Sequence, residues 1–374
     1  MDRQGKLFFV TTEDWFYVSH WFWMGSAAKN DGFDLTVVTR CREKAGLITE
    51  AGVRCRNFEM RRRGMNPLGV FFEFLGFSRI LLKESPDLVH LVALRPVVVG
   101  ALAAFIIRRP KYIYALTGLG YLFTAGRNSS PASIFLKLLL SFLLKRGVVI
   151  VQNTEDRDLL LAMGLASGGV RLIRGAGVDV SKFVPSEEPG GIPVVILPAR
   201  MLWDKGVGEF VEAARVLRSQ GVQARFALVG DADPDNPATV TLEVLKGWVN
   251  EGVVEHWGFQ VRMEEVFPQC SIVCLPSYRE GLPSSLLEGM ACSRPCVTTE
   301  TSGCREAVRH QDNGLLVPIK DAKALAEAIK RLLQNPAERQ RMGARGRERA
   351  EKEFNQEIII KQTLDIYREF LLKK

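Results

Sequence analysis

Short apolar segments alternate with helical segments throughout this chain, and this alternation constrains the fold more than any other feature. In the first half of the chain the apolar segments occupy residues 6–10, 35–39, 87–92, 111–116 and 148–152. Each is rich in Val, Ile, Leu or Tyr, as expected of parallel strands that are buried on both faces. The alternation therefore predicts an α/β fold with a doubly wound parallel sheet.

A second series of apolar segments follows residues 185–191, where Pro, Gly and Glu residues make the best candidate for a linker. These segments occupy residues 194–198, 224–229, 253–257, 272–275 and 295–298. We therefore expect two Rossmann-like domains, 1–185 and 186–374, with the C-terminal helices in the second. Such sheets bind ligands beyond the carboxyl ends of their strands. If the two domains face each other across a cleft, the functional residues belong to the loops that follow strands.

The composition of the chain limits which kinds of partner and which cellular compartment are expected. The chain of 374 residues has a formal net charge of +8, which favours a nucleotide, a nucleic acid or an acidic membrane surface as partner. Its seven cysteines include no CxxC pair, so we expect reduced thiols packed as small apolar side chains. There is neither a signal-peptide pattern nor an apolar run of the ~20 residues that span a bilayer. These features predict a reducing compartment, the cytoplasm.

The segment 278–291 is the most informative in the chain because it joins a predicted strand to a predicted helix. Pro283 and Ser284 suit the first positions of a helix, where the backbone amides have no internal partner. Those amides and the helix dipole form a site suited to phosphate. Glu288 would lie one turn inside the helix and Glu280 in the preceding loop, where each can accept hydrogen bonds from sugar hydroxyls. Two surface glutamates beside a helix start are the alternative interpretation.

A basic pair follows the first predicted strand of the second domain, in the sequence PARMLWDKG. Arg200 can chelate phosphate oxygens, and Lys205 adds a point charge. Together they would offset the charge that develops on a departing nucleoside diphosphate, a task otherwise suited to a divalent metal. We therefore expect no catalytic metal and no cofactor. An ordinary basic loop before a helix is the alternative.

Both motifs resemble those of the retaining glycosyltransferases of family 4, or glycosyltransferase group 1, which have the GT-B fold. In that family the first glutamate of an E-G-L-P-x-x-x-x-E motif contacts the donor sugar and the second binds the ribose of the nucleotide. The resemblance assigns these roles to Glu280 and Glu288, and it assigns the donor diphosphate to Arg200 and Lys205 through an R-x-x-x-x-K-G motif. It also places the donor against the residues between the two glutamates, which are Gly281, Leu282, Pro283, Ser284 and Ser285.

Two further strand ends of the second domain resemble the nucleotide cleft of that family. Gly230 ends a predicted strand, and Gln260 lies in the sequence WGFQ, which resembles the segment beside the nucleotide base. Gln260 or its backbone would read the edge of the base, while a plain strand end and turn stays open for each residue. Residues 302–306 and 314–317 resemble the segments that follow, so the resemblance covers most of the second domain.

The first domain departs from the family pattern. The loop after its fourth predicted strand, TGLGYLF, lacks the histidine that the family often has there. We expect Gly118 and Gly120 to approach the acceptor or a phosphate, but not NAD, because the third glycine of a dinucleotide motif is missing. The variant resembles a subgroup acting on polyprenyl-diphosphate-linked sugars, in which a Ser-His pair follows the first strand. The histidine of that pair corresponds to His20 in this chain. His20 either contacts the donor phosphate or the acceptor, or it is a packing residue.

Aromatic and basic residues are combined in two segments of the first domain, 15–24 and 61–83. This combination suits the interface of an anionic bilayer, although a core-facing amphipathic helix with a solvated basic end fits it equally well. With the subgroup resemblance, we expect a peripheral protein on the inner face of the plasma membrane. The basic run 339–349 has no interleaved aromatic residues, so nucleic acid is not an expected partner.

The combined prediction is a metal-independent, retaining sugar transfer. The donor would be a nucleoside-diphosphate sugar, with UDP the first choice, and the acceptor a hydroxyl of a lipid-linked saccharide in cell-surface glycan synthesis. Two alternatives stay open, a nucleotide-sugar epimerase of GT-B fold and a non-catalytic module that binds a sugar nucleotide or a membrane. An epimerase differs from a transferase in acting without an acceptor.

Overall fold

The computed structural model describes residues 4–61, 66–118, 131–234 and 236–372, and for residues 131–137 it describes the backbone alone. The contacts among these residues divide the chain into two compact units. The first unit comprises Met1–Ala176 and Ile359–Lys374, and the second comprises Gly177–Ile358. Each unit is built around one parallel sheet, which confirms the expected α/β class.

The first unit contains a sheet of seven described strands. They are β1 (Gly5–Glu13), β2 (Phe33–Arg40), β3 (Arg54–Asn57), β4 (Leu88–Val92), β5 (Lys111–Leu116), β6 (Val148–Val151) and β7 (Val170–Leu172). Their order in the sheet is β3-β2-β1-β4-β5-β6-β7, and every pairing is parallel. The helices between them are α1 (Asp14–His20), α2 (Phe22–Asn30), α3 (Ala45–Glu50), α4 (Pro67–Glu84), α5 (Leu94–Ile106), α6 (Pro131–Leu144) and α7 (Thr154–Ala162).

Strand β1 is buried on both faces because successive side chains of a strand point in opposite directions. Phe8 and Val10 belong to the apolar cluster formed with α4 and α5. Leu7 and Phe9 belong to the cluster formed with α1 and α2. All four side chains are fully buried. This is why the sequence shows a continuous apolar run here rather than an alternation of apolar and polar residues.

The second unit contains a sheet of six described strands, which are β8 (Val194–Pro198), β9 (Arg225–Val229), β10 (Glu255–Gly258), β11 (Ile272–Leu275), β12 (Cys296–Thr299) and β13 (Gly314–Val317). Their order is β10-β9-β8-β11-β12-β13, and again every pairing is parallel. The helices are α8 (Val207–Ser219), α9 (Leu242–Asn250), α10 (Met263–Val266), α11 (Ser284–Ala291), α12 (Ser302–Ala307), α13 (Ala322–Gln334) and α14 (Pro336–Glu353).

The last helix, α15 (Gln356–Leu372), joins the first unit from Ile359 onward, whereas the sequence placed it in the second domain. The hydroxyl of Tyr367 lies 2.5 Å from Nδ1 of His90 in β4, and its ring packs edge-on against Phe33 in β2. An amphipathic pattern predicts that a helix buries one face, but it carries no information about which sheet receives that face.

The boundary between the units also differs from the expected one, since the contacts divide the chain after Ala176 rather than after residue 185. The expected linker belongs to the second unit because buried arginines of that unit bind it. The Arg294 guanidinium donates to the hydroxyl of Ser186 at 2.7 Å, and that of Arg339 donates to Glu188 at 2.8 Å.

Strands β3 and β7 were not predicted from the sequence. Both are edge strands, and three of the four residues of β3 are exposed. A short strand that buries few side chains lacks the apolar run by which the other strands were found.

Candidate active site

Two loops at the carboxyl edge of the second sheet bring Lys205 and Glu280 together. Lys205 follows β8 and Glu280 follows β11, and these strands are neighbours in the sheet. Nζ of Lys205 donates to Oε1 of Glu280 at 2.6 Å, and the two side chains are 22% and 11% exposed. Parallel strands end at the same edge, so residues 75 positions apart in the sequence meet at the edge where sheets of this kind bind ligands.

Further hydrogen bonds between the same two loops hold this ion pair in place. The backbone amide of Tyr278 donates to the carbonyl oxygen of Asp204 at 2.9 Å. The hydroxyl of Tyr278 donates to Oε1 of Glu209 on α8 at 2.6 Å. Burial, together with the Glu209 carboxylate, raises the pKa of Tyr278, so this hydroxyl stays protonated at neutral pH. Neither Tyr278 nor Glu209 was anticipated as a functional residue from the sequence, although Tyr278 opens the motif that contains Glu280.

Two glycines permit the close approach of backbone segments around these loops. Gly206 has a φ of +74°, and a Cβ there would lie 2.1 Å from the carbonyl oxygen of Pro276. A Cβ on Gly303, near the start of α12, would lie 2.3 Å from the carbonyl oxygen of Gly281. Both distances are far below van der Waals contact, so a side chain at either position would displace the loop that carries Glu280.

Glu288 lies one turn inside α11, and its environment differs from that of Glu280. Its side chain is half-buried, and within the described ranges no hydrogen bond or ion pair reaches its carboxylate. Burial raises the pKa of Glu288 to about 7, and the negative charge of Glu264 acts in the same direction while Lys182 opposes it. A partly desolvated carboxylate without a hydrogen-bond donor is poised to accept hydrogen bonds from a ligand.

The residues between the two motif glutamates form the loop and first turn of α11. Gly281 and Leu282 lie in the loop, Pro283 precedes the helix, and Ser284 and Ser285 are its first residues. The helix thus begins at Ser284, where the sequence predicted it. No side chain caps this end, so the first-turn amides are available to an anion.

Arg200 lies at the same edge of the sheet and contacts a different acid. Its guanidinium donates to Oδ2 of Asp233 at 2.7 Å, and its side chain is 47% exposed. Gly230 directly follows β9, and a Cβ there would lie 2.1 Å from the carbonyl oxygen of Ala199, the residue before Arg200. Asp233 was not anticipated from the sequence, where it is one of several acids after the strand. An exposed arginine in an ion pair at the surface can exchange that partner for phosphate at little cost.

Gln260 is engaged with its own loop, since its side-chain amide donates to the carbonyl oxygen of Trp257 at 2.6 Å. The neighbouring Phe259 is 69% exposed, and its backbone amide donates to Asp231 at 3.2 Å. An exposed ring is therefore available at the end of β10, next to the residue that the sequence selected.

In the first unit, the residues selected as acceptor-side candidates lie after β1 and β5. His20 ends α1, its ring stacks on Phe16 at 4.8 Å, and Nδ1 lies 3.2 Å from the Phe16 carbonyl oxygen. These contacts are those of a packing residue, and the ring is half-buried. Gly118 has a φ of 146°, a conformation that favours glycine. Gly120 lies outside the described residues.

Helix α4 buries one apolar face and exposes another. Val70, Phe77 and Ile80 enter the core. On the solvent side Leu68 and Phe72 are 69% and 68% exposed, and further exposed apolar and basic residues share that side. They are Phe71, Arg79, Leu82 and Lys83. The core-facing interpretation of this segment therefore applies to one face of the helix, while contact of the exposed face with a membrane stays a prediction.

Two features are absent from the described residues. No group of three or more His, Cys, Asp or Glu side chains there is arranged to hold a metal ion. No helix there is long and apolar enough to cross a membrane.

Family models match most of the chain. Residues 6–154 match the model described as glycosyl transferase 4-like, and residues 181–349 match the model described as glycosyl transferases group 1. The two matches fall on the two described sheets.

Two curated relatives illustrate the similarity over most of the chain length. The N,N'-diacetylbacillosaminyl-diphospho-undecaprenol α-1,3-N-acetylgalactosaminyltransferase of Campylobacter jejuni is 29% identical over 91% of this chain and 92% of its own length. The UDP-Gal:α-D-GlcNAc-diphosphoundecaprenol α-1,3-galactosyltransferase of Escherichia coli is 21% identical over 81% of both chains.

Solved structures share the fold. HepE of Anabaena, crystallised with UDP-glucose, superposes with a TM-score of 0.78 at 19% identity, covering 98% of this chain and 100% of its own. Sucrose-phosphate synthase of Thermosynechococcus elongatus gives 0.77 at 22% identity, with coverage of 99% and 100%. These similarities show that the fold is GT-B.

Proposed function

Because both of its sheets match glycosyltransferase family models, this chain belongs to the group 1 glycosyltransferases, and we propose that it transfers a sugar from UDP to a hydroxyl of a lipid-linked saccharide. The names of the Campylobacter and Escherichia relatives support the acceptor class, since both include a diphospho-undecaprenol-linked sugar. The Escherichia relative and the Anabaena structure support UDP as the nucleotide. In this proposal the anomeric configuration of the sugar is retained.

The observation that carries the proposal is the pairing of Lys205 with Glu280 in the loop that leads to α11, together with the carboxylate of Glu288 in that helix, which no hydrogen bond or ion pair reaches within the described residues. A donor diphosphate near Lys205 would share its positive charge with Glu280, which lies 2.6 Å away and can then orient the donor sugar. Glu288 would accept hydrogen bonds from the ribose hydroxyls, and that interaction offsets the cost of its burial.

Charge on the leaving UDP would be offset by side chains in this site. Arg200 can exchange Asp233 for a phosphate oxygen, and Lys205 contributes a second positive charge. The uncapped start of α11 adds backbone amides. These groups together can take the place of a divalent cation, so we propose that transfer is independent of metal.

Thermal stabilisation by nucleotides tests the donor site. A ligand that binds only the folded protein raises Tm, so UDP should do so in EDTA, and more than GDP, ADP or NAD. The shift should be lost in Glu288→Ala and kept in Glu243→Ala, which removes an exposed glutamate from α9. No shift with any nucleoside diphosphate would contradict the proposal.

Turnover separates a transferase from the alternatives. UDP release from a UDP-sugar should require a lipid-linked saccharide and persist in EDTA, and NMR of the product should show the donor's anomeric configuration. Conversion of the UDP-sugar without an acceptor would instead identify an epimerase. Binding without turnover would identify a non-catalytic module.

We also propose that the exposed face of α4 contacts the anionic inner face of the plasma membrane, where a lipid-linked acceptor would be available. Exposed aromatic rings can insert at the level of the lipid headgroups, and Arg79 and Lys83 complement the charge of anionic lipids. Phe71→Ser with Phe72→Ser should abolish co-sedimentation with phosphatidylglycerol vesicles. The control Leu242→Ser, an equally exposed apolar position in the second unit, should not. Equal binding by all three proteins would contradict this surface.

A further inference from the structure

Cys41 and Cys55 place two thiols in contact at the edge of the first sheet. Cys41 follows β2, and Cys55 lies in β3, the edge strand that pairs with β2. Their Sγ atoms lie 2.7 Å apart, although the residues are 14 positions apart in the sequence. The two thiols are therefore in direct contact, although the separation is longer than the ~2.05 Å of a disulfide bond. The proposed sugar-transfer site makes no use of this pair.

The other cysteines have a different environment. All five are buried in the second unit, as expected of thiols that pack as small apolar side chains, and they are Cys270, Cys274, Cys292, Cys296 and Cys304. Cys41 and Cys55 are half-buried instead, so a small reagent can reach them. Burial and the hydrogen bond with Cys41 raise the pKa of Cys55 to about 12. Only a thiolate attacks a disulfide, so this shift slows attack by Cys55.

An open groove runs along β3, and Cys55 is part of its lining. Arg54, Arg56 and Glu84 line the same groove, and the two arginines pair with Asp34 and Glu84 at the surface. Because successive side chains of a strand point in opposite directions, the thiol of Cys55 and these two guanidinium groups lie on opposite faces of β3. The access of a small reagent to the pair therefore depends on this open edge and on the partial exposure of both thiols.

A bond between the two sulfurs would act on the start of α1. The backbone amides of Arg42 and Lys44, next to Cys41, donate to Oδ2 of Asp14 at 2.6 and 3.0 Å. Asp14 is the first residue of α1, the helix that ends at His20. Fixing Cys41 to β3 would therefore restrain the β2–α3 loop and, through Asp14, the turn after β1.

We propose that Cys41 and Cys55 are a site of reversible thiol oxidation, which forms a disulfide with a low-molecular-weight disulfide such as glutathione disulfide as the oxidant. The Cys41 thiolate attacks one sulfur of the reagent and releases one glutathione. Cys55 then loses its proton to solvent and attacks the Cys41 sulfur, which releases the second glutathione. The two protein thiols lose two electrons and two protons, and one glutathione disulfide becomes two glutathione molecules.

The test equilibrates the full chain with glutathione disulfide and glutathione at fixed ratios, followed by alkylation and peptide mass spectrometry. Wild type should form a peptide cross-link between Cys41 and Cys55 that dithiothreitol reverses, while the five buried cysteines stay reduced and serve as an internal control. Cys55→Ser should instead carry one glutathione on Cys41. Oxidation should raise Tm by roughly 5–10 °C, because the cross-link restricts the unfolded chain.

The proposal is overturned if wild type keeps both thiols reduced at high glutathione disulfide, or if the cross-link involves other cysteines. Cys41→Ser and Cys55→Ser are tested separately, so a variant that fails to fold does not decide the result. Wild-type mass spectrometry is independent of nucleotide binding, so this outcome and that of the proposed sugar transfer are distinguishable.

Discussion

At the scale of single residues, the two glutamates of one motif have opposite environments. Glu280 is held by Lys205 at 2.6 Å, so its negative charge is offset before any ligand arrives. The Glu288 carboxylate is desolvated by burial, and no hydrogen bond or ion pair within the described residues offsets that cost. Its pKa therefore rises to about 7. The pair therefore combines one carboxylate tied to a cation with one that titrates near neutral pH.

The affinity for UDP should depend on the protonation of Glu288. Between pH 8 and pH 6 we expect it to fall by about tenfold, because protonation of a group with a pKa of about 7 removes a charged acceptor from the ribose hydroxyls. Isothermal titration of wild type and Glu288→Gln measures this. The phosphates of UDP titrate in both proteins, so only the difference between them reports on Glu288. Identical pH profiles would show that this residue does not contact the nucleotide.

The stability of the folded protein should also depend on the protonation of Glu288. Between its ordinary pKa of 4.5 and about 7, the folded protein binds a proton that the unfolded chain has released. Stability therefore falls as pH rises through this window, and the full cost is present above it. Glu288→Gln lacks this cost, so its Tm should exceed that of wild type more at pH 8 than at pH 5.5. A constant difference between the two melting curves would contradict the raised pKa.

Loss of Lys205 should act mainly on the transfer step. Lys205→Ala removes a positive charge beside the leaving diphosphate, and the loss of one such group costs on the order of 10²–10³ in kcat. Steady-state kinetics with the UDP-sugar measures this, and Lys246→Ala on the exposed side of α9 serves as control. Unchanged kcat in Lys205→Ala would remove this residue from the mechanism.

At the scale of secondary-structure elements, the geometry of the site depends on loops and helix ends whose backbone atoms are in close contact with one another. The start of α12 lies against the loop that carries Glu280, and glycine is needed there because of the carbonyl oxygen of Gly281. The loops after β8 and β11 are joined by the hydrogen bond between Tyr278 and Asp204. The geometry of the ion pair is thus set by contacts between elements that are distant in the sequence.

Gly303→Ala should impair donor binding although Gly303 makes no proposed contact with the donor. A Cβ there would lie 2.3 Å from the carbonyl oxygen of Gly281, so the loop must shift, and we expect a loss of about tenfold in kcat/KM. The matched control is Gly247→Ala, where a Cβ meets no atom within 4 Å and alanine favours the helix. Equal kinetics for the two variants would show that the loop tolerates the displacement.

At the scale of the whole molecule, the end of the chain completes the unit in which the chain begins. The ring of Tyr367 in α15 is fully buried against Phe33 and His90. Its hydroxyl is bonded to His90, and burial lowers the pKa of that histidine to about 3, so the imidazole is neutral at physiological pH. The core of the first unit is therefore incomplete without the last helix.

Tyr367→Ala should destabilise the first unit by about 3–5 kcal/mol, the range found when a large buried ring is removed. Tyr367→Phe keeps the ring and should cost about 1 kcal/mol through the lost hydrogen bond. Calorimetric unfolding measures both, with Lys361→Ala on the exposed side of α15 as control. Because the proposed nucleotide site is in the second unit, the affinity for UDP should stay at the wild-type value. A loss of UDP affinity in Tyr367→Phe would contradict the assignment of the proposed nucleotide site to the second unit alone.

The sequence by itself determined the interior strands of both sheets and the family. The strands that run through the sheet interiors are continuous apolar segments because they bury both faces, and that pattern is visible without any partner. The start of α11 at Ser284 was predictable because the preference of Pro and Ser for a first turn is local. The motifs containing Glu280 and Lys205 pointed to a glycosyltransferase, and the family models agree.

Only the tertiary structure decided which of these elements meet. The ion pair between Lys205 and Glu280 joins residues 75 positions apart, and the contact of Cys41 with Cys55 depends on an edge strand that the sequence did not reveal. The pKa of Glu288 depends on all the groups that surround its carboxylate. The position of α15 depends on which of the two sheets accepts its buried face. Local sequence sets the preference of a segment for helix or strand, whereas desolvation and side-chain pairing arise when distant segments pack together.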